Sequence, residues 1–178
     1  MNGKKQIMNF IKPNLVPVII LLVIPPLTIV ALLILLCSTI PTIVRAKKNI
    51  KNLEEQGALE AAAAELTSPN AKRWVQGKLI LTENYVFCKG NGHIFTYDEI
   101  LWTYKHHYVK RALFIPIKTT DSLYLAAKNM KPKAVASMGK DKMDEIRNAM
   151  WEIQNHNNRC LIGYTNENVA AYKQLSVS

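Results

Sequence analysis

The chain has 178 residues, 49% of them hydrophobic, and a formal net charge of +10. This length allows one small domain beside a membrane segment and excludes a two-lobed enzyme with a cleft between large domains. Residues 1–70 (7 basic and 4 acidic side chains) carry +3, and residues 71–178 (16 basic and 9 acidic) carry +7. An anionic bilayer attracts such a basic domain. Because the chain also contains an apolar anchor, we expect no nucleic-acid partner.

The anchor is the stretch 15–44, in which 30 consecutive residues carry no charge. About 20 apolar residues suffice to cross a bilayer, whereas the apolar core of a signal peptide has roughly 7–15. We therefore predict an uncleaved anchor over residues 1–45. Because proline suits the first turn of a helix, Pro25-Pro26 places the spanning helix at about 25–44. Two other layouts stay open, one long helix kinked at the prolines and a re-entrant hairpin that turns there.

Basic residues flank the anchor on both sides, and the flank nearer the domain is slightly more basic: Lys4, Lys5 and Lys12 before it, and Arg45, Lys47, Lys48 and Lys51 after it. Basic flanks favour the cytoplasmic side of a membrane. Cys88 and Cys160 have no metal-binding spacing, and free thiols fit a reducing compartment. The sequence thus predicts a single-pass protein of the cell membrane, an integral partner of the bilayer, with its C-terminal domain in the cytosol.

Residues 46–68 are rich in helix formers and end in a cluster of helix breakers, residues 67–70. We expect one juxtamembrane helix here. A coiled coil is disfavoured because the heptad pattern fails at Glu60. The segment is interpreted as a spacer that lifts the domain off the bilayer.

The sequence pattern of residues 70–178 predicts an α+β domain. β-Branched and aromatic runs separated by turn residues indicate about seven strands, at 74–81, 85–89, 93–97, 100–109, 113–118, 123–127 and 134–138. The period then changes, and Met143, Ile146, Met150 and Ile153 form one apolar helical stripe, with Asp141 as its N-cap. A short last helix is expected at 166–174. This order predicts a bent antiparallel sheet with a C-terminal helix.

Three stretches of this domain carry a family resemblance: Leu79-x-Leu81-Thr82-x-Asn84, Asp98-x-Ile100-x-Trp102-x-Tyr104-Lys105 and Leu161-Ile162-Gly163-Tyr164. Over residues 70–175 the chain resembles an uncharacterised family of bacterial membrane-anchored proteins with a pleckstrin-homology-like (PH-like) domain. The resemblance implies an N-terminal transmembrane helix and a PH-like bent sheet, but no activity. Lipid-binding PH domains place basic residues in the first turn between strands. The turn taken as the first, residues 81–84, carries Glu83 and neither Lys nor Arg, so phosphoinositide recognition is not expected there.

The candidate contact residues are basic side chains on strand ends and turns: Lys110, Arg111, Lys118, Lys128, Lys131 and Lys133. They suit anionic lipid headgroups or an acidic protein partner, and the competing interpretation is an ordinary solvated surface. His106 and His107 are adjacent on a strand and face opposite sides, so they cannot share a metal ion. Trp102, Tyr104 and Tyr108 are interpreted as cross-strand packing.

The sequence contains no catalytic, metal-binding or cofactor-binding motif. We therefore predict no enzyme and no cofactor, and a cytosolic module that binds a protein or the membrane surface. The alternative is an accessory subunit of a membrane complex, assembled through the anchor and the juxtamembrane helix. An unrecognised enzyme is the third hypothesis.

Overall fold

The computed structural model describes residues 3–11, 33, 35–112, 115–128, 130–139 and 143–176. This part of the chain is mixed α+β. Its helices are α1 (Gly3–Ile11), α2 (Ile40–Glu55), α3 (Leu59–Thr67), α4 (Met143–His156) and α5 (Asn166–Leu175), with a π-helical turn (Leu35–Thr39) before α2 and a 3-10 turn (Tyr97–Glu99) before β5. Its strands are β1 (Lys72–Trp74), β2 (Leu79–Leu81), β3 (Tyr85–Cys88), β4 (His93–Thr96), β5 (Ile100–Ala112), β6 (Ile115–Ala127), β7 (Met130–Gly139) and β8 (Leu161–Ile162).

The strands form two sheets rather than the single bent sheet predicted from the sequence. Sheet 1 has the order β1-β2-β3-β4, and sheet 2 has the order β7-β6-β5-β8. Neighbouring strands are antiparallel except for the short β8, which runs parallel to β5. Helix α4 closes one apolar core with side chains from both sheets, and its Ile146 and Ile153 are fully buried. The predicted apolar stripe of this helix is confirmed at both positions, while Asp141 lies outside the described residues.

Seven strands precede α4, as predicted. The number is right only because one predicted strand is two strands and two other predicted strands are one. The predicted strand 74–81 is two strands, because Val75, Gln76 and Gly77 have φ of 54°, 58° and 72° and form a left-handed turn. The predicted strands 113–118 and 123–127 are one strand, β6, whose residues 119–122 pair with β5 in register. The first turn is therefore 75–78. It contains Lys78, so the expectation that no basic residue lies in the first turn is wrong.

The single helix predicted over 46–68 is also wrong. Helix α2 ends at Glu55; two residues later Gly57 has a left-handed φ of 68°, and Ala58 N donates to Leu53 O at 2.9 Å. This pattern of an αL glycine and a backward hydrogen bond is a common helix stop. Helix α3 then starts at Leu59. Both helices pack on sheet 1 and bury Ile50, Leu53 and Leu66 against its outer face, so they do not act as a free spacer.

Helix α1 belongs to the same layer. Its Ile7 and Ile11 are buried, and Phe10 meets Phe87 of β3 edge to face with ring centroids 6.4 Å apart. Gly3 N donates to the Glu60 carboxylate at 3.0 Å. The first described residues of the chain are thus part of the folded domain.

Among the described residues, no helix combines the length and the apolar character needed to cross a membrane. Nine of the twenty residues of the span predicted at 25–44, residues 25–32 and 34, lie outside the described residues. The remainder, from residue 35 onward, is helical and continues into α2 without a break.

Candidate functional site

The six basic residues predicted as one contact set fall into two separate groups. Lys110 and Lys118 pair across the far end of the β5–β6 hairpin, next to Arg111. Lys128, Lys131 and Lys133 lie at the β6–β7 turn, near the other end of the same hairpin. Ten strand residues separate these ends, about 33 Å at 3.3 Å per residue. The two groups therefore cannot contact one small ligand together.

The β6–β7 turn borders a cleft of about 720 Å³. Helix α2 forms one wall, strand β4 another, and the β6–β7 turn the third. Its apolar surface comes from Val44, Ile94, Phe95 and Met130, and its basic groups are Arg45, Lys48 and Lys128. The cleft therefore combines apolar walls with cations, an arrangement suited to an anionic amphiphile.

The charge of the cleft is positive. Arg45 donates through Nη1 to the carbonyl of Asn91 at 2.6 Å, while Lys48 and Lys128 are exposed. Within the described residues, none of these three cations forms an ion pair. The only described carboxylate in the lining, Glu99, accepts a hydrogen bond from Thr96 N at 3.0 Å in a capping box. The cations are thus available to an incoming anion.

His93 lies in the wall of the cleft and is 9% exposed. Its ring stacks on Phe95 with centroids 5.1 Å apart, and its Nε2 has no hydrogen-bond partner among the described residues. Burial lowers the pKa of His93 to about 4, with smaller contributions from the positive charges of Arg45 and Lys133. The imidazole is therefore neutral near pH 7, and the positive charge of the cleft comes from Arg and Lys alone.

An apolar face at the start of α2 and in the segment just before it leads into the cleft. Leu33, Leu36, Ile40 and Val44 are 54%, 54%, 46% and 59% exposed. Arg45 follows Val44 directly, and the next turns of α2 carry Lys47, Lys48 and Lys51. Large exposed apolar side chains beside cations are typical of a helix that meets a membrane at its interface. Because Val44 also lines the cleft, the cleft opens beside this apolar face.

The two histidines face opposite sides of β5, as predicted. His106 lies against Tyr124 with centroids 5.5 Å apart. On the other face, His107 Nδ1 is 2.6 Å from Asp121 Oδ1, and Lys105 Nζ is 3.7 Å from Asp121 Oδ2. Nowhere in the described part of the chain do three metal-binding side chains converge.

The predicted aromatic packing is confirmed for two of three residues. Trp102 and Tyr104 are buried with ring centroids 4.4 Å apart, and they contact Tyr164 of the segment after β8. Tyr108 is 56% exposed and stands outside this cluster. The cluster packs the segment after β8 onto sheet 2.

Sequence reasoning found one of the three cations in the cleft, Lys128. Arg45 and Lys48 were assigned only to the flank of the anchor, and nothing local to His93 indicates that it would be buried beside them. No family model, curated protein or solved structure matches the chain.

Proposed function

We propose that this protein is a non-enzymatic, membrane-attached module whose domain binds anionic lipid headgroups at the cytosolic face of the cell membrane. Seven antiparallel strands closed by α4 support a PH-like architecture for the domain. The exposed apolar start of α2 would lie among the lipids. The sheets would then rest on the bilayer surface rather than stand away from it.

The observation that carries this proposal is the position of the cleft. Arg45 and Lys48 lie within a few turns of exposed Val44 and Ile40 on α2, and Lys128 lines the same cleft from the β6–β7 turn. Each Lys or Arg near an anionic bilayer contributes about 1 kcal/mol to attraction. A lipid whose headgroup meets these cations could leave its acyl chains along the apolar face.

An acidic protein partner is the second candidate, since the same cations would attract it. Assembly of a membrane complex through the 46–66 segment has less support, because Ile50, Leu53 and Leu66 are already buried within the chain. The lipid proposal is favoured because the apolar face and the cleft are continuous.

Native mass spectrometry of the full chain tests the proposal. The protein is purified in mild detergent and incubated with equal amounts of phosphatidylglycerol and phosphatidylcholine. We expect the anionic lipid to be retained preferentially. Lys48 and Lys128 line the cleft, and the charge of Lys133 acts on His93 in the cleft wall. Combining Lys48→Gln, Lys128→Gln and Lys133→Gln, all at exposed positions, should reduce that retention several-fold.

The matched control removes the same charge from the far end of the β5–β6 hairpin, with Lys110→Gln, Arg111→Gln and Lys118→Gln. These positions are also exposed. The control should retain the anionic lipid at the level of the unchanged protein. Equal losses in both variants, or no preference for the anionic lipid in the unchanged protein, would refute binding at the cleft.

A further inference from the structure

The packing of α1 restricts how the chain can meet a membrane. Residues 3–11 precede the uncharged stretch 15–44, and α2 begins near the end of that stretch, yet both helices lie in one layer on sheet 1. Ile7 is 0% and Ile11 is 1% exposed, so α1 is an integral part of this layer. An element buried this deeply in the domain cannot stand on the other side of a bilayer from it.

Polar contacts fix α1 in the same place. Gly3 N donates to both carboxylate oxygens of Glu60, at 3.0 and 3.2 Å, and Lys4 Nζ lies 3.4 Å from Glu54 Oε2. At the other end of α1, Lys89 Nζ lies 5.9 Å from the ring centroid of Phe10. These contacts connect α1 with α2, α3 and the end of β3 along its whole length.

Two features of the sequence agree with this packing. Three basic residues precede the uncharged stretch and four follow it, so the two flanks are nearly equally basic. Such symmetry is expected when both flanks lie on the cytoplasmic side, which basic residues favour. Pro25 follows Ile11 by fourteen positions, and Pro26 precedes Ile40 by fourteen. The two prolines therefore mark the midpoint between α1 and α2.

We infer that α1 and the sheets lie on the same side of the membrane, so that the chain does not cross the bilayer once between α1 and α2. Two complete crossings would need about 40 apolar residues, and only 30 are present. This topology differs from the single crossing predicted from the sequence, and it rests on the membrane attachment proposed above.

Cysteine accessibility in the full chain tests this topology. Cys88 and Cys160 are buried, and burial raises the pKa of both thiols, that of Cys160 to about 12, so they are poor targets for maleimides. In a Cys37→Ser background, Lys5→Cys reports on α1 and Asn155→Cys on the domain. Both positions are exposed. Cells producing each variant are treated with a membrane-impermeant maleimide before and after lysis, and only protein in the carbonate-washed membrane pellet is scored.

We expect both cysteines to be protected in intact cells and labelled after lysis. Labelling of Lys5→Cys alone, or of Asn155→Cys alone, in intact cells would overturn the shared side while leaving membrane attachment intact. Absence of the protein from the pellet would overturn the attachment and this topology together. As a second measurement, Lys4→Cys with Glu54→Cys should be joined by a short bis-maleimide in membranes, and a failure to cross-link would contradict the packing of α1.

Discussion

The guanidinium of Arg45 donates a 2.6 Å hydrogen bond to the backbone carbonyl of Asn91. Arg45 is the first charged residue after the uncharged stretch, and Asn91 lies in the turn between β3 and β4. This contact joins the helix that leaves the apolar segment to the edge of sheet 1. The orientation of the domain relative to that helix is thereby fixed.

Replacement of Arg45 by Met should destabilise the domain, since Met keeps an apolar stem and removes the donor. Hydrogen bonds from charged donors contribute about 1.5–3 kcal/mol when buried, and the partial exposure of Arg45 reduces this to about 1 kcal/mol. Denaturant unfolding of the full chain in detergent measures the change. Lys47→Met, at an exposed position on the same helix, should change the free energy of unfolding by less than about 0.5 kcal/mol. Equal effects would show that the Arg45 contact contributes nothing.

Gly92 and Gly77 form a matched pair for testing the contact between α2 and sheet 1. Both have left-handed φ, 71° and 72°. A Cβ on Gly92 would lie 2.5 Å from Thr42 O, whereas a Cβ on Gly77 meets nothing within 4 Å. Gly77→Ala should therefore cost only the conformational term of about 1–2 kcal/mol, and Gly92→Ala substantially more. Thermal unfolding of both variants measures this difference, and similar melting temperatures would contradict the close approach of α2.

The buried imidazole of His93 predicts a loss of stability in acid. Because its pKa falls from 6.5 to about 4 in the folded protein, only the unfolded chain takes up this proton between those values. The free energy of unfolding is therefore not reduced by His93 above pH 6.5. It falls as the pH falls towards 4, by up to about 3 kcal/mol. His93→Phe keeps an aromatic ring against Phe95 and cannot titrate. Urea midpoints measured from pH 7 to pH 4.5 should fall more steeply for the unchanged protein, and parallel profiles would refute a buried neutral His93.

Glu65 fastens α3 to the turn between β2 and β3. Its carboxylate accepts from Asn84 Nδ2 at 2.6 Å, from Asn84 N at 3.0 Å and from Thr82 Oγ1 at 2.7 Å. Burial acts to raise the pKa of Glu65, but these hydrogen bonds outweigh it, and the net pKa is lowered from 4.5. Ionised Glu65 therefore adds to the free energy of unfolding above about pH 4.5, and this stabilisation is lost as the pH falls below that value.

Glu65→Gln should lower the free energy of unfolding at pH 7 by about 1 kcal/mol, since the amide cannot replace all three acceptor contacts. Chemical denaturation at pH 7 measures the loss. Glu55→Gln is the control, because Glu55 makes only an exposed i,i+4 pair with Lys51. A loss at Glu55 as large as the loss at Glu65 would contradict a specific role for the Thr82 and Asn84 contacts.

The sequence predicted those elements whose periodicity is local. Helix α4 and strands β3, β4, β5 and β7 follow from alternating and helical apolar patterns. The turn at Val75 and Gln76 was missed because β-branched and long side chains rarely adopt a positive φ. Residues 119–122 were taken for a turn because their polar composition resembles one, yet β5 supplies a partner for each of them.

The candidate site was harder to predict because distant parts of the chain supply it. Arg45, His93 and Lys128 come from α2, β4 and the β6–β7 turn, and no spacing in the sequence joins them. Helix α1 was missed for a related reason. Its apolar residues pack against α2, α3 and sheet 1, which come together only in the folded chain.

The depth of α2 in a lipid bilayer is the most direct test of the proposed membrane attachment. In the Cys37→Ser background, an environment-sensitive fluorophore is attached to the full chain at Ile40→Cys or Val44→Cys. Lys47→Cys and Asn155→Cys are the control positions. Each labelled protein is reconstituted into liposomes that contain acyl-chain nitroxides. We predict blue-shifted, strongly quenched emission at positions 40 and 44, and water-exposed, weakly quenched emission at 47 and 155. Equal, water-exposed emission at all four positions would contradict the placement of the domain on the bilayer surface.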